Sequence, residues 1–387
     1  RERMALSREE GNLARLEIRK RGKERTNEKH FAIIKKLPYP FHKREFVMRY
    51  VWRKGHQDDT MSVAFVPAEE KVDYGGNLGN LVKATTSGIL TAKNIEDQDG
   101  VLQCKLTLTQ FMDAGGHIPV KIVERSTPRV LSAIAVLRDS FKRDNEVDKA
   151  ALASLANIIK NVHQDYTDEE EDAIRKGKEF YEKCKMEENF DDLKSPDERV
   201  KMKLVHVDGA SSGTGFATTV VDASVEECAA NEIVGLNSRD EMKKAKMNGI
   251  TTMKVVNVNP HTLYYITTRK LGIPGFVPRD GRSKVTWFKQ HDGKAIIYFT
   301  DTEDLKEEFP VKTGNVTVKG HSVWVFEPLD PIGGVPQTSV TFTTKVDLGG
   351  VIFSSSVNKI APRFLAQVSD LRKKFDRSRA IDASTRN

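Results

Sequence analysis

The chain alternates apolar and polar positions over short stretches that polar turns separate. Runs such as KHFAIIKKL (29–37), FVMRYVWR (46–53), HTLYYITTRK (261–270) and KAIIYFT (294–300) have the period of two that is typical of half-buried strands. The turn His291-Asp292-Gly293-Lys294 carries the Asp-Gly signature of a tight hairpin. Strands that follow one another at hairpin spacing predict antiparallel sheets rather than a parallel βαβ array.

A helical period replaces this alternation at the end of the chain. Between about Ser355 and Arg377 the apolar residues recur at i, i+3, i+4 and i+7, and Pro362 falls inside the stripe. Proline lacks an N–H and its ring clashes with the preceding turn, so a kink is expected there. The pattern predicts one long amphipathic helix, interrupted or bent near its proline.

The strand and helix that close the chain also occur earlier. Residues 106–143 align without a gap to residues 340–377 at an offset of 234, and fourteen of the thirty-eight pairs are identical. The identities include both glycines of the Asp-x-Gly-Gly turn, the proline of the helix and several apolar helix positions. The sequence therefore predicts that one strand–turn–helix unit is present twice.

An acidic segment separates the two copies. Residues 144–198 contain seventeen Asp and Glu against eight Lys and Arg, and NEVDKAALASLANIIKNV predicts a helix. Thr167 and Glu170 have the spacing of a capping box, as do Ser224 and Glu227, so a helix is expected to begin at each place. We expect 144–167 to be a helical linker.

Composition and charge restrict the function classes. At 387 residues, with 62 Lys and Arg and 55 Asp and Glu, the chain is expected to form two or three domains. Residues 1–36 carry twelve basic and six acidic side chains, which favours either a solvated sheet edge or transient contact with an anionic membrane surface; no nucleic acid is expected. The three cysteines are dispersed, so no zinc site or disulfide framework is predicted, and a cytoplasmic location is expected.

The repeated unit resembles the closing part of START (StAR-related lipid-transfer) domains. DAGGHIPVKIVERSTPRVL and DLGGVIFSSSVNKIAPRFL are similar to the family's Asp-x-Gly-Gly turn and final helix, and KKLPYPFHKREFVMRYVWRK is similar to its Pro-Phe-x-x-Arg stretch. The resemblance implies an α+β helix-grip fold, a curved antiparallel β-sheet wrapped around a long C-terminal helix, present twice. It implies a START-like module at 1–143 that lacks its N-terminal part, a complete one at 168–378, and a C-terminal tail at 379–387. Because the chain also begins without Met, we expect it to be a fragment.

The resemblance also implies a function. It predicts a non-enzymatic protein that carries or senses a lipid, a sterol or another hydrophobic small molecule between sheet and helix, without metal or cofactor; the oligomeric state stays open. Loops 301–316 and 67–80 would act as lids. The residues expected to face the two cavities are Tyr265, Trp287, Tyr298, Val340, Phe342, Val357 and Phe364 in the second module, and Trp52, Leu106, Leu108, Val123 and Val130 in the first.

Two other functions remain open from the sequence. A regulatory scaffold could bind a basic partner through the acidic face of 144–198, with cavities that side chains fill. A hydrolase or cyclase on the same fold would need a His or a carboxylate in the cavity, whereas His261 and His321 begin strands and His291 lies in a turn. The glycine stretches 75–80 and 208–216 lack the Gly-Lys-Ser/Thr ending of a phosphate-binding loop.

Overall fold

A computed structural model describes the chain in two compact units, Arg1–Arg143 and Asp144–Asn387. The residues that it describes are 12–18, 27–55, 59–74, 79–98, 100–119, 121, 124, 128, 131–161, 165–187, 189–206, 210, 212–247, 249–273, 275–349 and 354–385. Each unit contains one sheet, so the α+β class predicted from the sequence is confirmed.

The first unit is a six-stranded sheet followed by a short helix. Neighbouring strands pair in chain order and antiparallel, and β3 also pairs with the start of β5 in parallel. The strands are β1 Asn12–Ile18, β2 Glu28–Lys35, β3 Lys43–Lys54, β4 Thr60–Pro67, β5 Leu81–Gln98 and β6 Val101–Asp113. Helix α1 spans Ala133–Ser140.

The second unit has nine strands and seven helices in its described residues. The sheet order is β10-β11-β12-β13-β14-β15-β9-β8-β7, antiparallel except for a short parallel pairing of β12 with β14. The strands are β7 Asp191–Leu193, β8 Lys201–His206, β9 Ser212–Val221, β10 Ile250–Asn257, β11 Thr262–Arg269, β12 Arg279–Lys289, β13 Ala295–Asp301, β14 Val316–Ile332 and β15 Val335–Asp347. The helices are α2 Asp144–Asn161, α3 Asp168–Lys185, α4 Val225–Gly235, α5 Arg239–Met247, α6 Ser354–Leu365, α7 Gln367–Lys374 and α8 Ser378–Thr385.

Successive side chains of a strand point to opposite sides, and other elements cover both faces of the nine-stranded sheet. The inner face carries the main core, in which Trp324 stacks on Phe342 at 4.3 Å between ring centroids. Helices α2, α4, α6 and α7 contribute apolar side chains that pack on this face. The outer face buries Phe288, Tyr298 and Val323 against α3. The sheet thus holds its last helices on the inner side, which is the predicted helix-grip arrangement.

The beginnings of α3 and α4 confirm both predicted capping boxes. The Thr167 hydroxyl accepts a hydrogen bond from the Glu170 N–H, and the Glu170 carboxylate accepts one from the Thr167 N–H. Ser224 and Glu227 exchange the same pair of bonds. The predicted Asp-Gly hairpin is present as well, with Gly293 at φ 88°, a conformation that favours glycine.

The predicted linker helix belongs to the body of the second unit. Ile159 of α2 lies in the main core, and α2 packs along α4. The Asp148 carboxylate accepts hydrogen bonds from the backbone N–H groups of Arg239 and Asp240, at the first residues of α5. Residues 144–161 therefore complete the fold of this unit.

The long C-terminal helix predicted from the apolar stripe is present as α6, which ends at Leu365, and α7, which begins at Gln367. Ala366 joins them in helical conformation, because its N–H donates to the Pro362 carbonyl and its carbonyl accepts from the Asp370 N–H. In the first unit Ser132 takes the same place four residues after Pro128, and its N–H likewise donates to the Pro128 carbonyl. Since proline lacks the N–H that would bond to the carbonyl four residues before it, its effect falls on the turn that precedes it. Most of the predicted tail belongs to a separate short helix, α8, which spans Ser378–Thr385.

Gly177 allows α3 to lie close to the outer face of the sheet. A Cβ atom at this position would be 3.0 Å from Cγ of Tyr298. We expect Gly177→Val to lower the free energy of unfolding of the second unit by about 1–3 kcal/mol, because the added methyl groups would push α3 away from Tyr298. Urea unfolding measures the change. Lys183→Val, at an exposed position of the same helix, is the control, and equal effects of both changes would contradict this packing.

Candidate functional site

A pocket lies between α6 and the part of the sheet that β8, β9 and β15 form. Its free volume is about 50 Å³. Two glycines of β9, Gly213 and Gly215, stand in its wall, and a Cβ at Gly215 would lie 3.1 Å from Cδ2 of Leu365. The other lining residues are Leu204, Thr344, Val346, Leu348, Ile360, Ala361, Phe364 and Leu365. The lining is apolar except for Thr344 among the described residues.

The size of the pocket limits what it can hold in this conformation. A cavity of 10–15 Å³ on the same measure accommodates roughly one water, whereas small-molecule sites typically offer about 300–1,000 Å³. The 50 Å³ beneath α6 is therefore too small for a whole lipid while α6 keeps this position. Side chains fill the rest of the inner face.

The predicted site residues of the second unit occupy three different environments. Phe364 lines the pocket. Trp287, Val340 and Phe342 are buried in the main core, and Tyr265 packs against that core half-buried. The Trp287 indole N–H donates to the Pro260 carbonyl at 2.8 Å, which holds the ring in place. These four residues shape the core beside the pocket rather than its wall.

The prediction that Tyr298 faces the cavity is wrong. Its ring lies on the outer face against α3, and its hydroxyl is 2.7 Å from Nδ1 of His321. The neighbouring residue Ile297 points into the main core instead, because strand side chains alternate. The side chain of Val357 lies outside the part of the chain whose side chains are described.

The predicted residues of the first unit share one sheet face. Trp52 is opposite Val63, Val63 is opposite Leu90, and Leu90 is opposite Leu108, so an apolar row crosses four strands. Leu106 lies on the same face of β6, two residues from Leu108. All three predicted residues are half-buried. Val123 and Val130 lie outside the described residues. Of the basic segment 1–36, the structure describes residues 12–18 and 27–36.

The last helices of the two units differ in what covers them. Leu131 and Phe141 of the first unit are 48% and 73% exposed, whereas Leu365 and Phe375, at the same places in the repeat, are 1% and 9% exposed. In the second unit, side chains of β8, β9 and α4 cover this helix face. The sequence repeat begins at Leu106, so it contains no counterpart of those covering elements.

One arginine in each unit has a structural role that the sequence analysis did not assign. Nε of Arg279 donates to the carbonyl of Leu348 at 2.9 Å, and Nε of Arg44 donates to the carbonyl of Ala114 at 2.6 Å. Both carbonyls belong to the Asp-x-Gly-Gly turn that leads from the last strand of the unit towards its helix. The Pro-Phe-x-x-Arg stretch indicated a family resemblance, but it did not predict which carbonyl the arginine would contact.

The predicted lid loops are attached to the faces opposite the core. In loop 301–316, the Phe309 carbonyl accepts a hydrogen bond from Arg282, and Asp304 accepts one from the Tyr264 hydroxyl. In loop 67–80, the Glu70 carboxylate forms a hydrogen bond with Nδ1 of His30, and the Tyr74 hydroxyl donates to the Glu45 carboxylate of β3. A role as lids beside the pocket is therefore not supported by these contacts.

Neither His261 nor His321 lines the pocket. His261 is buried between the rings of Tyr166 and Trp287, at 4.7 and 4.6 Å between centroids. His321 lies on the outer face beside Tyr298.

Within the described ranges, none of the helices has the length and apolar character that a membrane crossing requires.

Comparison with known proteins gives similar structures but no similar sequence. No family model matches the chain, and no curated protein matches it. The lipid transfer and protein localization domain of human StarD13 (DLC2) is 17% identical over 55% of this chain and 100% of that one, with a TM-score of 0.38. Human StAR-related lipid transfer protein 5 is 16% identical over 54% and 99%, with a TM-score of 0.41. Truncated norcoclaurine synthase from Thalictrum flavum is 10% identical over 44% and 96%, with a TM-score of 0.27. The chain is similar to StAR-related lipid transfer (START) domains, and this likeness is one of fold.

Proposed function

We propose that the second unit binds one hydrophobic or amphipathic molecule, a lipid, between α6 and the sheet, and that the protein carries or senses this ligand without chemical change. The observation that carries the proposal is the pocket beneath α6, whose wall is apolar and lies between the helix and three strands. Each Å² of apolar ligand surface removed from water contributes about 25 cal/mol, so such a wall favours an apolar chain.

The ligand enters, on this proposal, by displacement of α6 from the sheet. Helix α6 ends at Leu365, after Pro362, and α7 is held beyond it by the buried side chains of Val368 and Leu371. On this proposal α6 bends away from the sheet at its junction with α7, while the buried side chains of α7 stay packed. The 50 Å³ pocket is then the closed form, which the lipid enlarges.

The first unit does not hold the ligand on this proposal. Its helix α1 buries none of its residues, and the apolar row that Trp52 begins is half-exposed. A lipid on that face would keep much of its surface in water, and the apolar contribution to binding would fall in proportion.

An enzymatic function receives less support from the pocket. Thr344 provides the one polar side chain among the lining residues in the described part of the chain. General acid–base catalysis needs a titratable group within hydrogen-bond reach of the substrate, and the lining contains none.

Filling the pocket tests the proposal. We expect Ala361→Trp to weaken binding of a fluorescent single-chain lipid to the full chain at least about tenfold, because the indole would occupy the space that an acyl chain needs. Lys373→Trp places the same ring on an exposed position of α7 and should bind as the unchanged chain does. Fluorescence titration measures both affinities, with thermal unfolding to verify that each variant is folded. Equal binding by Ala361→Trp would contradict the proposed site.

A further inference from the structure

Two arginines face each other next to the pocket. Arg269 of β11 is directly opposite Arg279 of β12, so both side chains lie on the same face of the sheet. That face is the inner one, because Leu263, six residues before Arg269 on β11, and Val285, six residues after Arg279 on β12, point into the main core. Like charges that are directly opposite in an antiparallel pair destabilise it.

Each arginine touches a residue of the pocket wall. The Arg269 guanidinium lies 4.7 Å from the centroid of the Phe364 ring, and Phe364 lines the pocket. Arg279 donates through Nε to the carbonyl of Leu348, which also lines the pocket. The two guanidinium groups thus lie directly next to the apolar pocket wall, one at Phe364 of α6 and the other at Leu348.

Backbone carbonyls compensate the Arg279 guanidinium, whereas no described residue does so for Arg269. Arg279 also donates through Nη1 to the Val277 carbonyl at 2.5 Å. Among the described residues, no carboxylate and no carbonyl accepts a hydrogen bond from Arg269, whose guanidinium lies over the Phe364 ring. Burial lowers the pKa of both guanidinium groups, which is the expected effect of removing a cation from water.

Two other arginines of this unit, both buried, have carboxylate or carbonyl partners. Arg372, which is 6% exposed, is paired with Asp197 at 3.1 Å, and Arg282 donates to the Phe309 carbonyl and approaches Glu303 at 3.7 Å. A cation removed from water without a counter-charge is unfavourable, and contact with an aromatic ring offsets only part of this cost. Among the residues that the structure describes, Arg269 therefore lacks the negative partner that its burial calls for.

We infer that the ligand is a single-chain amphiphile with an oxyanion head, a carboxylate or a phosphate, which pairs with Arg269 while the chain occupies the pocket beneath α6. Guanidinium and oxyanion form short, bidentate, charge-assisted bonds. The Phe364 ring, which touches both Arg269 and the pocket, is the contact that the ligand replaces. Tyr265, four residues before Arg269 on the same face of β11, has a hydroxyl whose bond goes to Sδ of Met253 at 3.2 Å, a weak acceptor. That hydroxyl is available as a second donor to the head group.

The inference rests on the proposed lipid binding and is tested separately from it. The full chain is titrated with a fluorescent C18 fatty acid, its methyl ester, and a lysophosphatidic acid of the same chain length. We expect the acid, the phosphate or both to bind the unchanged protein at least about tenfold more tightly than the neutral ester, as one charge-assisted bond would provide. The acid and phosphate arms distinguish the two sources of the oxyanion.

Variants of Arg269 then assign the effect. Arg269→Met should abolish the preference for the anionic probes and leave ester binding unchanged, while Arg269→Lys should keep part of the preference. Lys270→Met removes a positive charge at an exposed neighbouring position and should keep the preference in full. Thermal unfolding provides a second readout, because Arg269→Met removes a half-buried charge that no described carboxylate pairs with and should not lower Tm. Equal affinities for anionic and neutral probes would overturn this inference alone, and no binding of any probe would overturn the proposed function.

Discussion

Trp287→Ala is expected to destabilise the second unit by about 3–5 kcal/mol, the largest effect of any single change proposed for this chain. The Trp287 ring is buried in the main core next to the His261 ring, and its N–H donates to the Pro260 carbonyl. Truncation would leave a cavity and an unsatisfied carbonyl together. Differential scanning calorimetry of the full chain measures the shift in the transition of the second unit.

Trp52→Ala is the matched control for this change. Trp52 lies on the corresponding strand of the first unit and is half-buried, so its truncation should cost about 1 kcal/mol. The two changes should affect different transitions, because the chain forms two compact units. Equal destabilisation by both changes would contradict the assignment of Trp287 to a closed core.

Glu170→Gln is expected to lower the stability of the second unit by about 2 kcal/mol at neutral pH. One carboxylate oxygen of Glu170 accepts from the Thr167 N–H at 3.0 Å, and the other accepts from Asn259 at 2.8 Å and from the Thr262 hydroxyl at 2.6 Å. The carboxylate thus joins the beginning of α3 to the segment that leads into β11. An amide would place an NH₂ group against one set of donors, so part of this network would be lost.

The pH dependence gives the same prediction a second test. Burial alone would raise the pKa of Glu170, but the hydrogen bonds from Thr262, Thr167 and Asn259 outweigh it and lower this pKa below its ordinary value of 4.5. A carboxyl whose pKa is lowered on folding contributes stability above its unfolded pKa, and this contribution is lost as the pH falls through the folded pKa. Urea unfolding between pH 7 and pH 3 should show a shallower loss of stability for Glu170→Gln than for the unchanged chain. Glu171→Gln, at an exposed position of the first turn, should leave the curve unchanged.

The elements that local chemistry defines could be predicted from the sequence. The capping boxes at Thr167 and Ser224 and the hairpin at Gly293 depend on residues within three or four positions, and all three are present.

Contacts between distant strands could not be predicted in this way. Tyr298 and Ile297 have similar apolar neighbours in KAIIYFT, so a shift of one position exchanges the face on which each lies. The pairing of Arg269 with Arg279 across two strands depends on the register of β11 and β12, which no local pattern specifies. The burial of α2 against α4 likewise depends on a contact between helices that are more than sixty residues apart.

Native mass spectrometry of the full chain, after exposure to a mixture of single-chain lipids and removal of the excess, tests the central claim most directly. Because the pocket lies in the second unit and the apolar face of the first unit is open, we predict one lipid per chain, and none on Ala361→Trp. A chain that carries no lipid, or an Ala361→Trp variant that keeps the same single lipid, would contradict the account.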